Sequence, residues 1–348
     1  MTDLTLGIVI HAPKDLRVEA VPPVAPGPGE VRVAIEAGGI CGSDLHYFNH
    51  GGFGTVRIRE PMVLGHEIAG TVAEVGPDVT TVAPGARVAV NPSRPCGRCR
   101  YCVEGMRHEC LDMHFIGSAM RFPHTQGGFR QSLTIRAEQA VPIADGMTMA
   151  EAAMAEPLAV CLHAAAQAGS LQGRRVLVTG CGPIGALCIA VARHAGAAEI
   201  VATDIADYPL AVARKVGATR TINSAAEPEA LAPYTADKGT FDVLLECSGN
   251  ERALAGALAA LRPGGIAVQV GLGGDMTLPI NLVVAKELQL RGTFRFDREF
   301  PLAVELMGRG QIDVRPLLGT TVPFRAAAEA FTLAQDRSHA VKVQLAFT

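Results

Sequence analysis

Four cysteines fall within fifteen residues, at Cys96, Cys99, Cys102 and Cys110, in the spacing C-x2-C-x2-C-x7-C. Thiolates this close can converge on one tetrahedral ion, and four soft sulfur ligands with no open position make a closed structural zinc site. Pro95, Gly97 and Gly105 allow the loop between them to fold tightly. Arg98, Arg100, Glu104, Arg107 and Glu109 argue against four thiols packed on an apolar element. The bacterial iron–sulfur spacing ends C-x3-C-P, which Cys110 does not match. A fifth cysteine stands apart in Gly39-Ile40-Cys41-Gly42-Ser43-Asp44-Leu45-His46-Tyr47, where a strand is expected to break into a glycine-rich loop, and Gly65-His66-Glu67 follows downstream. A thiolate, an imidazole and a carboxylate from separate segments, with one position left open, form the pattern of a catalytic zinc. Cys161, Cys181, Cys188 and Cys247 read as small apolar packing residues.

A second kind of chemistry is written in Gly180-Cys181-Gly182-Pro183-Ile184-Gly185. An apolar strand precedes this run, a helix is expected to follow it through His194, and Asp204 stands at the end of the next strand. The glycines permit a sharp turn and close approach of the backbone to a pyrophosphate, which then meets the positive end of the helix. Asp204 would accept hydrogen bonds from the adenosine ribose hydroxyls and repel an extra phosphate, favouring NAD over NADP.

The elements that must hold these residues divide the chain by texture. Up to about residue 145 it alternates, as in Val31-Arg32-Val33-Ala34-Ile35 and Ile68-Ala69-Gly70-Thr71-Val72, with Pro and Gly between the runs, which predicts a mostly β domain. Thr148 and Glu151 are spaced as a capping box opening an Ala-rich helix that Pro157 restarts or kinks and Gly169 stops. Apolar runs then alternate with helical segments at 176–179, 200–203, 241–245, 266–270 and 288–291, with a weaker strand near Thr221, which predicts a parallel sheet covered on both faces. One helix after Phe300 and a final strand Val341-Lys342-Val343-Gln344-Leu345 could rejoin the first domain. With 348 residues, 49% of them hydrophobic, and a net charge of −3, the chain has the material for two cores and no basic excess for a nucleic-acid backbone. The longest apolar run, Gly180 to Ala192, is too short for a membrane span, and no signal peptide is expected from Met1-Thr2-Asp3.

Cys41-Gly42-Ser43-Asp44-Leu45-His46, Gly65-His66-Glu67, the four-cysteine lobe and the glycine-rich turn occur in the order found in the zinc-dependent medium-chain alcohol and polyol dehydrogenases, and the chain resembles that family over essentially its whole length. Asn91 to Cys96, Phe115 to Met120, Phe122-Pro123-His124, Gly127-Gly128-Phe129, Ala155 to Val160 and Leu290 to Phe296 narrow the resemblance to the branch that holds the L-idonate and sorbitol dehydrogenases. The resemblance implies an α/β chain with a GroES-like, mostly β catalytic domain over residues 1–155, carrying a zinc lobe at about 91–112. A Rossmann doubly wound domain over 156–293 and a return segment over 294–348 that completes the catalytic domain would follow. It implies two zinc ions per subunit. Cys96, Cys99, Cys102 and Cys110 would hold the structural one. Cys41, His66 and Glu67 would hold the catalytic one, and Glu156 would approach it directly or through water, because no cysteine stands at Ala155-Glu156-Pro157. Which of the two glutamates is the resting ligand stays open.

The same resemblance implies NAD contacts at Gly180, Gly182, Pro183, Ile184, Gly185, Asp204, Ser248, Val270, Gly271, Leu272, Phe294 and Arg295. It implies substrate contacts at Tyr47, Arg121, His124, Glu156, Arg295 and Phe296, with Arg295 ahead of Arg121 as the partner of a substrate carboxylate. The expected reaction is NAD-linked oxidation of a secondary alcohol, L-idonate to 5-keto-D-gluconate, with sorbitol or xylitol as the neutral alternative. Its proton would leave through Ser43, the nicotinamide ribose and His46, with Glu156 beside the reacting centre. A cytoplasmic homotetramer or dimer is expected. Two other classes compete: a nucleotide-sensing protein of the same fold without turnover, and a zinc-knuckle nucleic-acid binder, which the acids among the lobe's arginines disfavour.

Overall fold

The computed structural model describes residues 4–336, 338 and 340–347. Its centre is a six-stranded parallel sheet in the order Arg220–Asn223, Glu199–Asp204, Arg175–Thr179, Phe241–Glu246, Leu261–Gln269, Gln289–Gly292. Strand side chains alternate between faces, and here both faces are apolar. Val176, Val178, Ile200, Ala202, Val243 and Leu245 pack on one side with the helices Ala155–Ala168 and Pro183–His194. Leu177, Val201, Leu244 and Ala267 pack on the other with Glu251–Ala260. The strand order reverses between Arg175–Thr179 and Phe241–Glu246, and crevices at such reversals lie beyond the carboxyl ends of the strands.

The N-terminal part forms a seven-stranded sheet in which Glu30–Gly39 pairs antiparallel with Glu67–Val75 and with Ser132–Arg136. The far end of the chain joins it: Lys342–Ala346 runs antiparallel to Glu30–Gly39, with Gln344 opposite Gly39 and Ala346 opposite Ala37. A second core of Ile8, Val33, Ile35, Tyr47, Ile68, Phe129, Phe331 and Leu345 lies beneath these strands. Full burial of each such side chain contributes about 1.5–3 kcal/mol.

Local chemistry sets the element boundaries. Thr148 caps Met149–Ala152, with its hydroxyl accepting from the Glu151 N–H at 3.2 Å and the Glu151 carboxylate accepting from the Thr148 N–H at 2.8 Å. The chain then breaks, and Ala155–Ala168 begins anew with Pro157 in its first turn, where a missing N–H costs nothing, and stops at Gly169 with φ +77°. Two expectations are corrected. The segment after Cys41 is the helix Gly42–His50 and not a glycine-rich loop, because Asp44 at its third position accepts from the Cys41 N–H at 3.0 Å and closes the first turn. The last segment also holds two helices, Glu299–Gly308 and Ala327–Leu333, with the strand Leu318–Pro323 between them.

Candidate active site and cofactor crevice

Three segments bring the candidate metal ligands together. Glu30–Gly39 ends just before Cys41, Cys41 caps the helix Gly42–His50, and Glu67 opens the neighbouring strand directly opposite Gly39. Asp44, fully buried, accepts from the N–H of Cys41 through Oδ2 and from the N–H of Gly65 at 3.2 Å through Oδ1, so one carboxylate ties both ligand-bearing loops. Its Oδ1 lies 4.0 Å from His66 Nδ1, beyond hydrogen-bond reach, and that buried nitrogen has no hydrogen-bond partner among the described residues. One donor atom each from Cys41, His66 and Glu67 falls within 4.8 Å of the others. A side chain on Gly39 would run into the Glu67 carboxylate and the Lys342 stem, so glycine is required there by close approach.

Electrostatics fit a cation at this cluster. Burial pushes the Cys41 thiol up to about 12, with the Glu67 charge adding to it. Burial likewise pushes the Glu156 carboxyl up to about 8; the His66 ring counters this, and Glu67 and Cys41 reinforce it. Glu156 therefore faces the same cluster from the first turn of Ala155–Ala168 and is buried. Buried acidic groups whose like charges raise one another stay ionised when a metal neutralises them, and a thiolate, imidazole and carboxylate set suits zinc. Lys342, only 2% exposed, forms an ion pair with Glu67 Oε2 and donates to the Ile40 carbonyl at 3.1 Å.

The second cluster is equally compact. One sulfur from each of Cys96, Cys99, Cys102 and Cys110 lies within 4.8 Å of the others, with Cys99 to Cys102 at 3.6 Å and Cys99 to Cys110 at 4.0 Å. A tetrahedron of Zn–S bonds about 2.3 Å long has edges of roughly 3.8 Å. Backbone N–H groups of Cys96 and Asp112 donate to Cys110 Sγ at 3.1 and 3.3 Å, which suits a thiolate. Backbone N–H groups of Cys102 and Leu111 hold the Cys99 thiol down at about 6. Cys161, Cys181 and Cys188 are buried, Cys247 is partly buried, and none of the four is in a disulfide.

The glycine-rich turn lies at the carboxyl end of Arg175–Thr179. Gly180 adopts φ +81°, and a side chain on Gly185 would collide with the Gly180 carbonyl. Gly182 caps the helix Pro183–His194 with Pro183 and Ile184 opening it, so the amides of that first turn face the crevice. Asp204 Oδ2 accepts from the Cys181 N–H at 2.7 Å and Oδ1 from the Ala206 N–H at 3.0 Å, leaving one lone pair on each oxygen for a ribose hydroxyl. Ser248, Val270, Gly271 and Leu272 follow the ends of the two adjacent strands, and Leu272 and Phe294 are exposed there.

Substrate-side residues sort into distinct environments. Arg295, at φ +53°, lays its guanidinium 4.2 Å from the Phe115 ring and 4.8 Å from the Phe294 ring, and donates to Met120 Sδ at 2.9 Å. It has no carboxylate ion-pair partner among the described residues, and burial holds its pKa down at about 10, with Glu156 acting in the opposite sense. Ser43 is half-buried on the first turn beside Cys41, and His46 is exposed one turn on. Four further residues expected at the substrate are placed as follows. Tyr47 is 1% exposed, and its hydroxyl accepts from the Ala119 N–H at 3.0 Å, so it builds the wall. Phe296 packs in the core beside Phe300. Arg121 is taken by Asp112, and His124 uses Nδ1 on the Arg121 carbonyl at 2.7 Å and Nε2 on the Arg59 N–H at 2.8 Å, which leaves no ring nitrogen for a ligand. Asp44, Lys342 and Glu246 went unassigned in the sequence; the only local signal was an acid or a lysine within an otherwise apolar or motif-bearing run.

Residues 27–145 match the alcohol dehydrogenase GroES-like domain, and residues 183–309 match the zinc-binding dehydrogenases. With this fold and site, the chain belongs to the zinc-dependent medium-chain dehydrogenases and is an oxidoreductase of GroES-like plus Rossmann architecture. It is 44% identical to the L-idonate 5-dehydrogenase (NAD(P)(+)) of Escherichia coli (strain K12) over 316 residues, 90% of this chain and 91% of that one. It is 36% identical to the sorbitol dehydrogenase of Gallus gallus over 348 residues, 99% of this chain and 97% of that one. The crystal structure of L-idonate 5-dehydrogenase from Escherichia coli K-12 superposes with a TM-score of 0.94 at 41% identity, covering 100% of this chain and 99% of that one.

Proposed function

We propose that this chain catalyses the NAD-linked, reversible oxidation of a secondary alcohol on an aldonate, L-idonate to 5-keto-D-gluconate. The observation that carries the reading is Arg295. A guanidinium stacked on two aromatic rings, close enough to Glu156 to feel its charge and without a carboxylate partner, is a ready mate for a substrate carboxylate. The identity to an L-idonate 5-dehydrogenase supports the same substrate class.

Cys41, His66 and Glu67, with Glu156 beside them, would hold the catalytic zinc, and the four-cysteine lobe a structural one. Zinc supplies Lewis acidity that favours loss of the substrate hydroxyl proton. Ser43 would pass that proton by way of the nicotinamide ribose toward His46, which is open to solvent and whose pKa is lowered by partial burial and by His50. The crevice formed by Gly180, Gly182, Pro183, Ile184 and Gly185, with Asp204 at the ribose and Ser248, Val270, Gly271, Leu272 and Phe294 along the far wall, would hold NAD, the hydride acceptor. The work divides over residues 1–155, 156–293 and 294–348, the last returning to the first. We infer a cytoplasmic homotetramer or dimer that acts on small molecules.

Sorbitol dehydrogenases at 36% identity favour a second reading, oxidation of a neutral polyol. Comparing kcat/KM for L-idonate and sorbitol in the parent and in Arg295→Ala separates the two. Loss of a charged hydrogen-bond partner worth about 1.5–3 kcal/mol should cost roughly 10–100-fold with idonate and far less with sorbitol. Equal losses on both substrates would remove the carboxylate role.

A further inference from the structure

The six-stranded sheet carries one buried ionisable group for which the reaction above has no use. Glu246 ends the central strand Phe241–Glu246, is 0% exposed, and has no cationic partner among the described residues. Its carboxylate collects five donors instead. Oε1 accepts from the Thr179 hydroxyl at 3.2 Å, the Ser248 N–H at 2.9 Å and the Ser248 hydroxyl. Oε2 accepts from the Gly249 N–H at 3.0 Å and the Gln269 side-chain amide at 2.6 Å, and that same amide reaches the Gly271 carbonyl at 2.7 Å. The Glu246 backbone carbonyl accepts the N–H groups of Val270 and Gly271, both at 2.8 Å.

These donors come from three chain segments that leave the sheet side by side: Thr179 just before the glycine-rich turn, Ser248 and Gly249 after the central strand, and Gln269 to Gly271 after the next. The segments interlock, since a side chain on Gly180 would strike Ser248 and one on Gly271 would strike the Gly249 backbone. Burying a charge without a counter-ion is costly, and the neighbouring strand interiors do without one. A carboxylate is an acceptor at every lone pair, so it can gather donors that no amide or hydroxyl could gather together.

We propose that Glu246 is a positioning residue for the nicotinamide cofactor, fixing the mutual placement of the three turns that line the crevice. The inference rests on the reading of that crevice as the NAD site. Glu246→Gln preserves shape but points an NH2 at two or more donors whichever way the amide turns. The variant should keep its circular dichroism spectrum and bind NADH about tenfold or more weakly by nicotinamide fluorescence, with KM for NAD raised and KM for the alcohol little changed. Gln269→Met, which removes one donor and the tie to Gly271, should move NADH affinity in the same direction by less. It supplies the test if Glu246→Gln does not fold. A folded variant of either kind that loses thermal stability while binding NADH as the parent does overturns the proposal. A parent protein that binds no NADH overturns the crevice reading itself and the proposal with it.

Discussion

Single side chains here are legible in proportion to how local their constraint is. The four lobe cysteines stand in a spacing that suits metal chemistry, Cys41 and His66 stand in short motifs on separate segments, and the fold brings the ligand atoms of each group within 4.8 Å. Cys41→Ser should therefore lose one of two zinc equivalents by metal analysis, keep the other, and lose dehydrogenase activity; retention of both equivalents would refute the ligand assignment. Lys342 was opaque because it meets Glu67 and Ile40 only through the closing strand, 302 residues from Ile40, and an alternating strand places a lysine by default toward solvent. His124 is the opposite case. It lies in a distinctive string, yet both its ring nitrogens are spent on backbone. His124→Ala should cost about 1–3 kcal/mol of stability in thermal unfolding, because it removes two hydrogen bonds to the backbone at about 0.5–1.5 kcal/mol each, and should change KM little.

At the scale of elements, the parallel strands were readable as continuous apolar runs, because burial on both faces leaves nothing to alternate, although the strand expected at 266–270 begins at Leu261, ahead of Pro263 and two glycines. The helix after Cys41 was not, because Gly42 and the short polar run look like a turn until Asp44 is seen closing its first turn. The contact between Glu299–Gly308 and Ala155–Ala168 carries a pH-dependent prediction. Burial pushes the Glu299 carboxyl up, but the His163 ring at 3.0 Å and the backbone N–H of Asp297 outweigh it and hold it at about 2. A carboxyl whose pKa is lower folded than unfolded adds stability above its unfolded value near 4.5, and that contribution is lost as pH falls toward 2. Urea unfolding between pH 6 and about 2 should show the parent losing its advantage over Glu299→Gln across that window, and a constant difference would refute the assignment.

Across the whole molecule, the chain's two ends build one domain around the other. The first domain supplies Cys41, His66 and Glu67, the start of the Rossmann segment supplies Glu156, the last strand supplies Lys342, and Arg295 reaches in from the segment between. That convergence explains why the order of motifs pointed to the family, and the resemblance to Arg295, while the ring and sulfur contacts of Arg295 stayed hidden. Metal and nucleotide chemistry are written in short spacings, whereas the substrate wall is assembled from residues such as Phe115, Met120 and Arg295 that meet only in the fold. Chelation of the lobe metal should lower the thermal midpoint without altering the NADH affinity of the protein that stays folded, because the lobe lies outside the parallel sheet.

The central claim is that this site oxidises an aldonate with NAD, and the most direct test is NADH formation by the zinc-loaded protein from L-idonate and from sorbitol. The account predicts turnover on both, with kcat/KM for L-idonate higher by about tenfold or more, the contribution of one charge-assisted contact. No NADH from either substrate, or a preference for sorbitol, would contradict it.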